Sequence, residues 1–164
     1  MIRNGTIAPE FELRDESGAL KSLTALRRSR PFLVLFTRFS DCPTARRDLL
    51  AYANVYDRLR SLDVDMAAVT ADSVENHGRL RSQLDLPFPL LSDSDFAVSE
   101  RYGVYRSDEV EDGPQPHGEP AVFILDVDGH LAYSQISSGP KGIANPAELA
   151  LVFLYMVHHG GKYW

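Results

Sequence analysis

The chain is short of cysteine, of excess positive charge and of long apolar runs, and each shortage narrows what it can do. One cysteine, Cys42, occurs among 164 residues. A lone thiol forms no internal disulfide, so any disulfide chemistry here involves another molecule. It also fits a reducing compartment, where structural disulfides are not needed. Lysine and arginine number 17 against 23 aspartates and glutamates, a formal charge of -6. Sequence-independent nucleic-acid binding and docking on anionic lipid both use a basic face, so neither partner is expected. No stretch approaches the roughly 20 apolar residues that span a bilayer. Met1 to Glu10 has no apolar run behind a basic start, so a secretory signal is not expected and a cytoplasmic location is. Repeats, low-complexity tracts, linkers and Gly-rich phosphate loops are also missing.

What remains is an ordinary globular composition, with 44% apolar residues, and a length that suits one domain over residues 1–164. Apolar runs alternate with amphipathic stretches, the pattern of an α/β domain. Leu33-Val34-Leu35-Phe36, Met66-Ala67-Ala68-Val69 and Val122-Phe123-Ile124-Leu125 read as strands buried on both faces. Phe11 and Leu13, the turn residues Asp15 to Gly18, and Leu20 read as an N-terminal hairpin, and Ser22 caps a brief helix to Leu26. Ala45, Leu49, Tyr52, Ala53, Tyr56 and Leu59 recur at helical spacing. Asp72 and Glu75 have capping-box spacing for a helix to about Leu84. A short helix is expected near Phe96 to Arg101, and Tyr105 to Glu119 reads as an acidic surface loop, with His117 solvated among Asp108, Glu109, Glu111 and Asp112. Asp126 to Gly129 turns the third strand into an alternating one through Leu131, Tyr133 and Gln135. Asn145, Pro146 and Glu148 open a last helix that is apolar nearly all round, hence buried or shared with a partner, and Gly160-Gly161 ends it. Tyr163-Trp164 is read either as packing on a second subunit or as a tail. His158 and His159 are adjacent on a helix, point apart, and are not expected to hold a metal.

The informative stretch runs from Phe36 to Arg47, between the carboxyl end of a buried strand and the first turn of a long helix. Open α/β sheets place their ligands at that end. Pro43 suits the first helical position, which makes Cys42 the cap residue. A helix N-terminus presents unpaired N–H groups and partial positive charge, and cysteines there can ionise several units below the usual value of about 8.5. Arg38, Arg46 and Arg47 add positive potential and Asp41 opposes it. A buried, inert cysteine is the competing reading, but Asp41, Pro43, Thr44 and two arginines are not core company.

Several segments together resemble the peroxiredoxins of the alkyl hydroperoxide reductase and thiol-specific antioxidant family, in the thioredoxin-like superfamily. Ala8-Pro9-Glu10-Phe11-Glu12-Leu13 with Asp15 and Gly18 is similar to that family's opening segment, and Cys42-Pro43-Thr44 to its peroxidatic motif. Val69 to Ser73, Phe88 to Asp93, Tyr102-Gly103-Val104, and Pro120 to Asp126 with Gly129 follow in the family's order, so the resemblance runs from about Ala8 to Ser137. It implies a thioredoxin-like fold, a central mixed sheet flanked by helices with an N-terminal hairpin. It also implies a redox-active cysteine, for which Cys42 is the only candidate. Cys42 would attack a peroxide or disulfide substrate. An external thiol would resolve it, either glutathione, another small thiol or a thioredoxin-type protein. No cofactor is called for. Thr44, Arg46 and Arg38 would support the thiolate.

Three positions depart from the family. Phe39 stands where peroxiredoxins place a threonine three residues before the cysteine, no proline lies between Phe36 and Cys42, and Pro120 stands where they carry an arginine. Pro120 instead matches the cis-proline of thioredoxins and would line the thiol-substrate groove. These departures keep a second reading open, a thioredoxin-fold binding module without catalysis. A homodimer through the apolar helix from Ala147 to Val157 is compatible with either.

Overall fold

In the computed structural model, which describes residues 2–107, 116–137 and 145–163, the chain runs through alternating strands and helices. They are β1 (Glu12–Arg14), β2 (Leu20–Ser22), α1 (Leu23–Arg27), β3 (Phe32–Phe36), α2 (Pro43–Ser61), β4 (Asp65–Thr70) and α3 (Val74–Leu84). Then come β5 (Leu90–Ser92), α4 (Ala97–Arg101), β6 (Arg106–Ser107), β7 (His117–Gly118), β8 (Ala121–Leu125) and β9 (Leu131–Ile136). A 3-10 turn (Pro146–Leu149) leads into α5 (Ala150–His158). No helix among the described residues is long and apolar enough to cross a membrane.

Seven strands form one mixed sheet in the order β2-β1-β5-β4-β3-β8-β9. β3, β4 and β5 are parallel, β8 joins β3 antiparallel, and β9 joins β8 antiparallel. The uninterrupted apolar runs of β3, β4 and β8 sit at the centre, where strands are covered on both faces. Their period of two sorts the core. Leu33, Leu35, Met66 and Ile124 face α2, α3 and α5, through Leu49, Tyr52, Leu80, Phe153 and Met156. Phe32, Val34, Phe36, Val69 and Phe123 face α1 and α4, through Leu23, Val98 and the ring of Tyr102. Each such side chain, fully buried, contributes about 1.5–3 kcal/mol of transfer free energy. The hairpin β1–β2, the helix capped by Ser22 and the turn at Gly129 (φ 89°) all form as the sequence predicts. A Cβ at Gly129 would also lie 3.0 Å from the Arg27 guanidinium.

Four elements differ from the sequence reading. Asp72 does not cap α3. Ser73 does, its Oγ accepting the Asn76 N–H at 3.2 Å, because the carboxylate of Asp72 is drawn to other donors described below. Part of the presumed surface loop is structured. Arg106 and Ser107 pair with Gly118 and His117 as β6 and β7, while Asp108, Glu109, Glu111 and Asp112 lie outside the described residues. Asn145 caps the last helix through Ala147 N–H at 3.0 Å, yet the first turn is 3-10. α5 is also two-sided. Phe153 and Met156 are buried, while Leu151, Leu154 and Val157 are exposed. Tyr163 packs on its own chain's core, 5.1 Å from the ring of Tyr155, and Trp164 lies outside the described residues.

Candidate active site

The loop from Thr37 to Asp41 leaves β3 at its carboxyl end and enters α2, with Cys42 as N-cap and Pro43 in the first helical turn. Cys42 has extended backbone (φ -75°, ψ 123°), its N–H donates to Phe39 O at 3.0 Å, and its carbonyl accepts from Arg46 N at 3.1 Å. The side chain makes no capping hydrogen bond. The first turn of α2 therefore receives no side-chain acceptor from its cap residue. Cys42 is 7% exposed and packs with Phe39 and Ala45.

Two tethers hold this loop against neighbouring strands. The first comes from β4. One oxygen of Asp72, Oδ2, accepts the Ser40 N–H at 2.5 Å and the Thr70 hydroxyl at 3.0 Å. With its proton given to Asp72, Thr70 Oγ1 accepts from Nε2 of His77, 2.7 Å away. That assignment leaves Nδ1 of His77 bare, and it has no partner. His77 is wholly buried, and burial pushes its pKa down to about 4, against a smaller opposing pull from Asp72. The second tether comes from the far side of β3. Arg38 is 3% exposed, and its Nε and Nη2 donate to both carboxylate oxygens of Glu119 at 2.8–3.0 Å. The antiparallel register that sets Phe36 opposite Ala121 brings these two residues together just beyond the ladder. His117, read from sequence as solvated, is 1% exposed, because β7 carries it inward. Its Nε2 lies 3.5 Å from Glu119 Oε1, and its ring meets the edge of Phe39 at 5.4 Å.

The structure distributes the predicted site residues unevenly. Cys42, Pro43 and Thr44 form the helix start as expected, and Arg46 lies one turn on, its Nε donating to Ser40 O at 2.9 Å. The charge of Arg38 is met by Glu119 in a buried pair. The Glu119–Pro120 bond is trans, as are all peptide bonds among the described residues, so the cis-proline expectation is corrected. Pro120 simply leads into β8 in extended backbone, for which the trans form is the favoured one, and its carbonyl accepts Ser137 N–H at 2.9 Å. Phe39, in place of a hydroxyl, packs its ring against His117, Cys42 and Ala45. Sequence reasoning missed Glu119 and the bridging role of Asp72. No local signal exists for either, since their partners lie 81 and 32 residues away.

Comparison with known proteins agrees with this fold. Residues 4–134 match the AhpC/TSA family. A bcp-type relative from Coxiella burnetii is 31% identical over 132 residues, covering 80% of this chain and 86% of the relative. Peroxiredoxin Bcp of Escherichia coli is 28% identical over 132 residues, covering 80% and 84%. The chloroplastic Peroxiredoxin Q of Oryza sativa subsp. japonica is 28% identical over 103 residues, or 63% of this chain, and the chain spans about half of its length (47%). The fold is that of Peroxidoxin BcpB from Mycobacterium tuberculosis, with TM-score 0.80 at 17% identity over 97% of this chain and 98% of that one. A mutant of Peroxiredoxin 6 from Arenicola marina has the same fold, with TM-score 0.83 at 19% identity over 93% and 72%. With its sheet, its helix-capping cysteine and a family match over most of its length, this chain belongs to the AhpC/TSA family, the peroxiredoxins of the thioredoxin-like superfamily.

Proposed function

We propose that the chain, working as one domain, reduces peroxides in a one-cysteine cycle at Cys42. The observation that carries this reading is the placement of the sole thiol as cap of a long helix at the carboxyl end of β3, in a loop pinned by Asp72. The N-terminus of α2 thus lies directly at the thiol that does the chemistry. The thiolate attacks one peroxide oxygen, the O–O bond breaks, and the other oxygen leaves as water or alcohol, so that Cys42 becomes a sulfenic acid. An external thiol then condenses with it, and a second thiol releases the enzyme, because Cys42 is the only cysteine. Arg46 supports the loop through Ser40, and Arg38 acts on it from beneath, through its pair with Glu119. A reducing compartment such as the cytoplasm suits such a cycle.

Cys42→Ser is expected to abolish peroxide consumption and thiol oxidation together, as measured by coupled turnover. Unchanged turnover in that variant would remove the reading. Phe39 and Pro120 in place of the family's threonine and arginine, and the lack of a second cysteine, keep open a second reading, a binding module that holds a partner without chemistry. Rapid stoichiometric oxidation of Cys42 by hydrogen peroxide counts against it. The exposed apolar side chains of α5 are the surface on which a homodimer would form.

A further inference from the structure

A polar cleft of about 210 Å³ opens beside the Cys42 loop, between the start of α2 and the outer side of α3. Its lining includes Ser40, Asp41, Arg46, Asn76, Arg79 and Gln83. Two guanidinium groups thus face one carboxylate in a chain whose net charge is -6. The arginines are held in place rather than paired with acids. Arg46 Nε is fixed by Ser40 O at 2.9 Å and its Nη2 by Gln83 Oε1 at 3.2 Å, and the side chain so held lines the cleft. Arg79 is steadied by the side-chain oxygen of Asn76, and Asn76 in turn lies 3.5 Å from Asp72 Oδ1. Asp72 is the same residue that tethers Ser40. One network therefore orients both the cysteine loop and the wall of the cleft. Cys42 and Arg46 stand four residues apart on the same side of α2, joined through a backbone hydrogen bond.

We infer that this cleft binds the carboxylate of a small thiol, and so selects an anionic low-molecular-weight thiol as the reductant of Cys42. The inference rests on the one-cysteine reading above, which requires a thiol from outside the chain. Planar guanidinium forks match carboxylates in geometry and charge. With the carboxylate held there, the thiol sulfur is brought toward Cys42. In the first step the thiol attacks the sulfenic sulfur, an S–S bond forms as the S–O bond breaks, and the hydroxyl leaves as water with the thiol proton. In the second, another thiolate attacks the mixed disulfide, the S–S bond breaks, and Cys42 is freed as the small-molecule disulfide departs carrying the oxidation.

The test separates this from peroxide reduction by starting beyond it. The reduced protein is converted at Cys42 to its 2-thiopyridyl mixed disulfide, and release of thiopyridone is followed on adding either glutathione, which carries carboxylates, or neutral β-mercaptoethanol. Arg79 is exposed at the rim, so Arg79→Leu leaves the core untouched. Loss of a charge-assisted hydrogen bond predicts an about tenfold fall in the glutathione rate constant, with less than about a twofold change for β-mercaptoethanol. Arg79→Lys should recover part of the loss. Equal effects on both thiols, or none on glutathione, would overturn the inference. Failure of hydrogen peroxide to oxidise Cys42 would sink the peroxidase reading while leaving this comparison intact.

Discussion

At the scale of single residues, the buried pair Arg38–Glu119 is the largest electrostatic commitment near the site, with both side chains 4% exposed. Removing one partner of such a pair strands an uncompensated charge, which costs about 3–5 kcal/mol, whereas replacing both by apolar groups is often neutral. Glu119→Leu should therefore destabilise the fold by that amount in urea titration, and Arg38→Met combined with Glu119→Leu should restore most of it. His77 carries a second commitment, to pH. Its folded pKa of about 4 lies below the ordinary 6.5, so the unfolded chain binds the extra proton between those values. Stability that is fully present above pH 6.5 is lost as pH falls toward 4, by about 3 kcal/mol at 1.36 kcal/mol per unit. His77→Gln should flatten that part of the stability–pH curve, as followed by chemical denaturation at a series of pH values.

At the scale of elements, α2 differs from the helices before and after it in the chain. α1 and α3 begin with serines whose hydroxyls accept a first-turn N–H, from Ala25 at 3.1 Å and Asn76 at 3.2 Å. α2 begins with a cysteine whose side chain makes no such bond. The helix forgoes a contribution of about 1 kcal/mol that a serine cap supplies. The same Cys42→Ser change that is expected to end turnover should leave thermal stability equal or raised by up to about 1 kcal/mol. A large fall in the melting temperature would instead assign Cys42 a packing role beside Phe39 and Ala45. Stability kept while activity is lost would mark a residue placed for chemistry rather than for the core.

At the scale of the whole molecule, the sheet buries two apolar clusters, one on each face, and an apolar surface on α5 stays uncovered among the described residues. Leu151 is 78% exposed, with Leu154 and Val157 at 46% and 45% beside it. If that face carries the proposed homodimer, sedimentation of the 18.3 kDa chain should show twice that mass, and Leu151→Glu should return it to monomer. A monomer in the unaltered chain removes the dimer.

The local pattern of the sequence determined much of this molecule. Strands β3, β4 and β8 were legible because a central strand covered on both faces needs an unbroken apolar run, and α2 because its apolar residues keep helical spacing. The helix start at Cys42 was legible because proline suits a first turn and little else in a helix. These signals lie within a few residues of one another. The surroundings of the thiol were settled only when distant segments met. Asp72 had the spacing of a helix cap but turned to Ser40, across 32 residues, since a buried N–H in a tight loop competes more strongly for a carboxylate than an exposed helix end does. Arg38 had the look of a free charge near the cysteine, and the β3–β8 register gave it Glu119, across 81 residues. His117, in an acidic stretch, was drawn inside by the pairing of β6 with β7. Period and propensity act over a turn or a strand, so they place the cysteine. Its electrostatic environment comes from side chains that only the folded register makes neighbours.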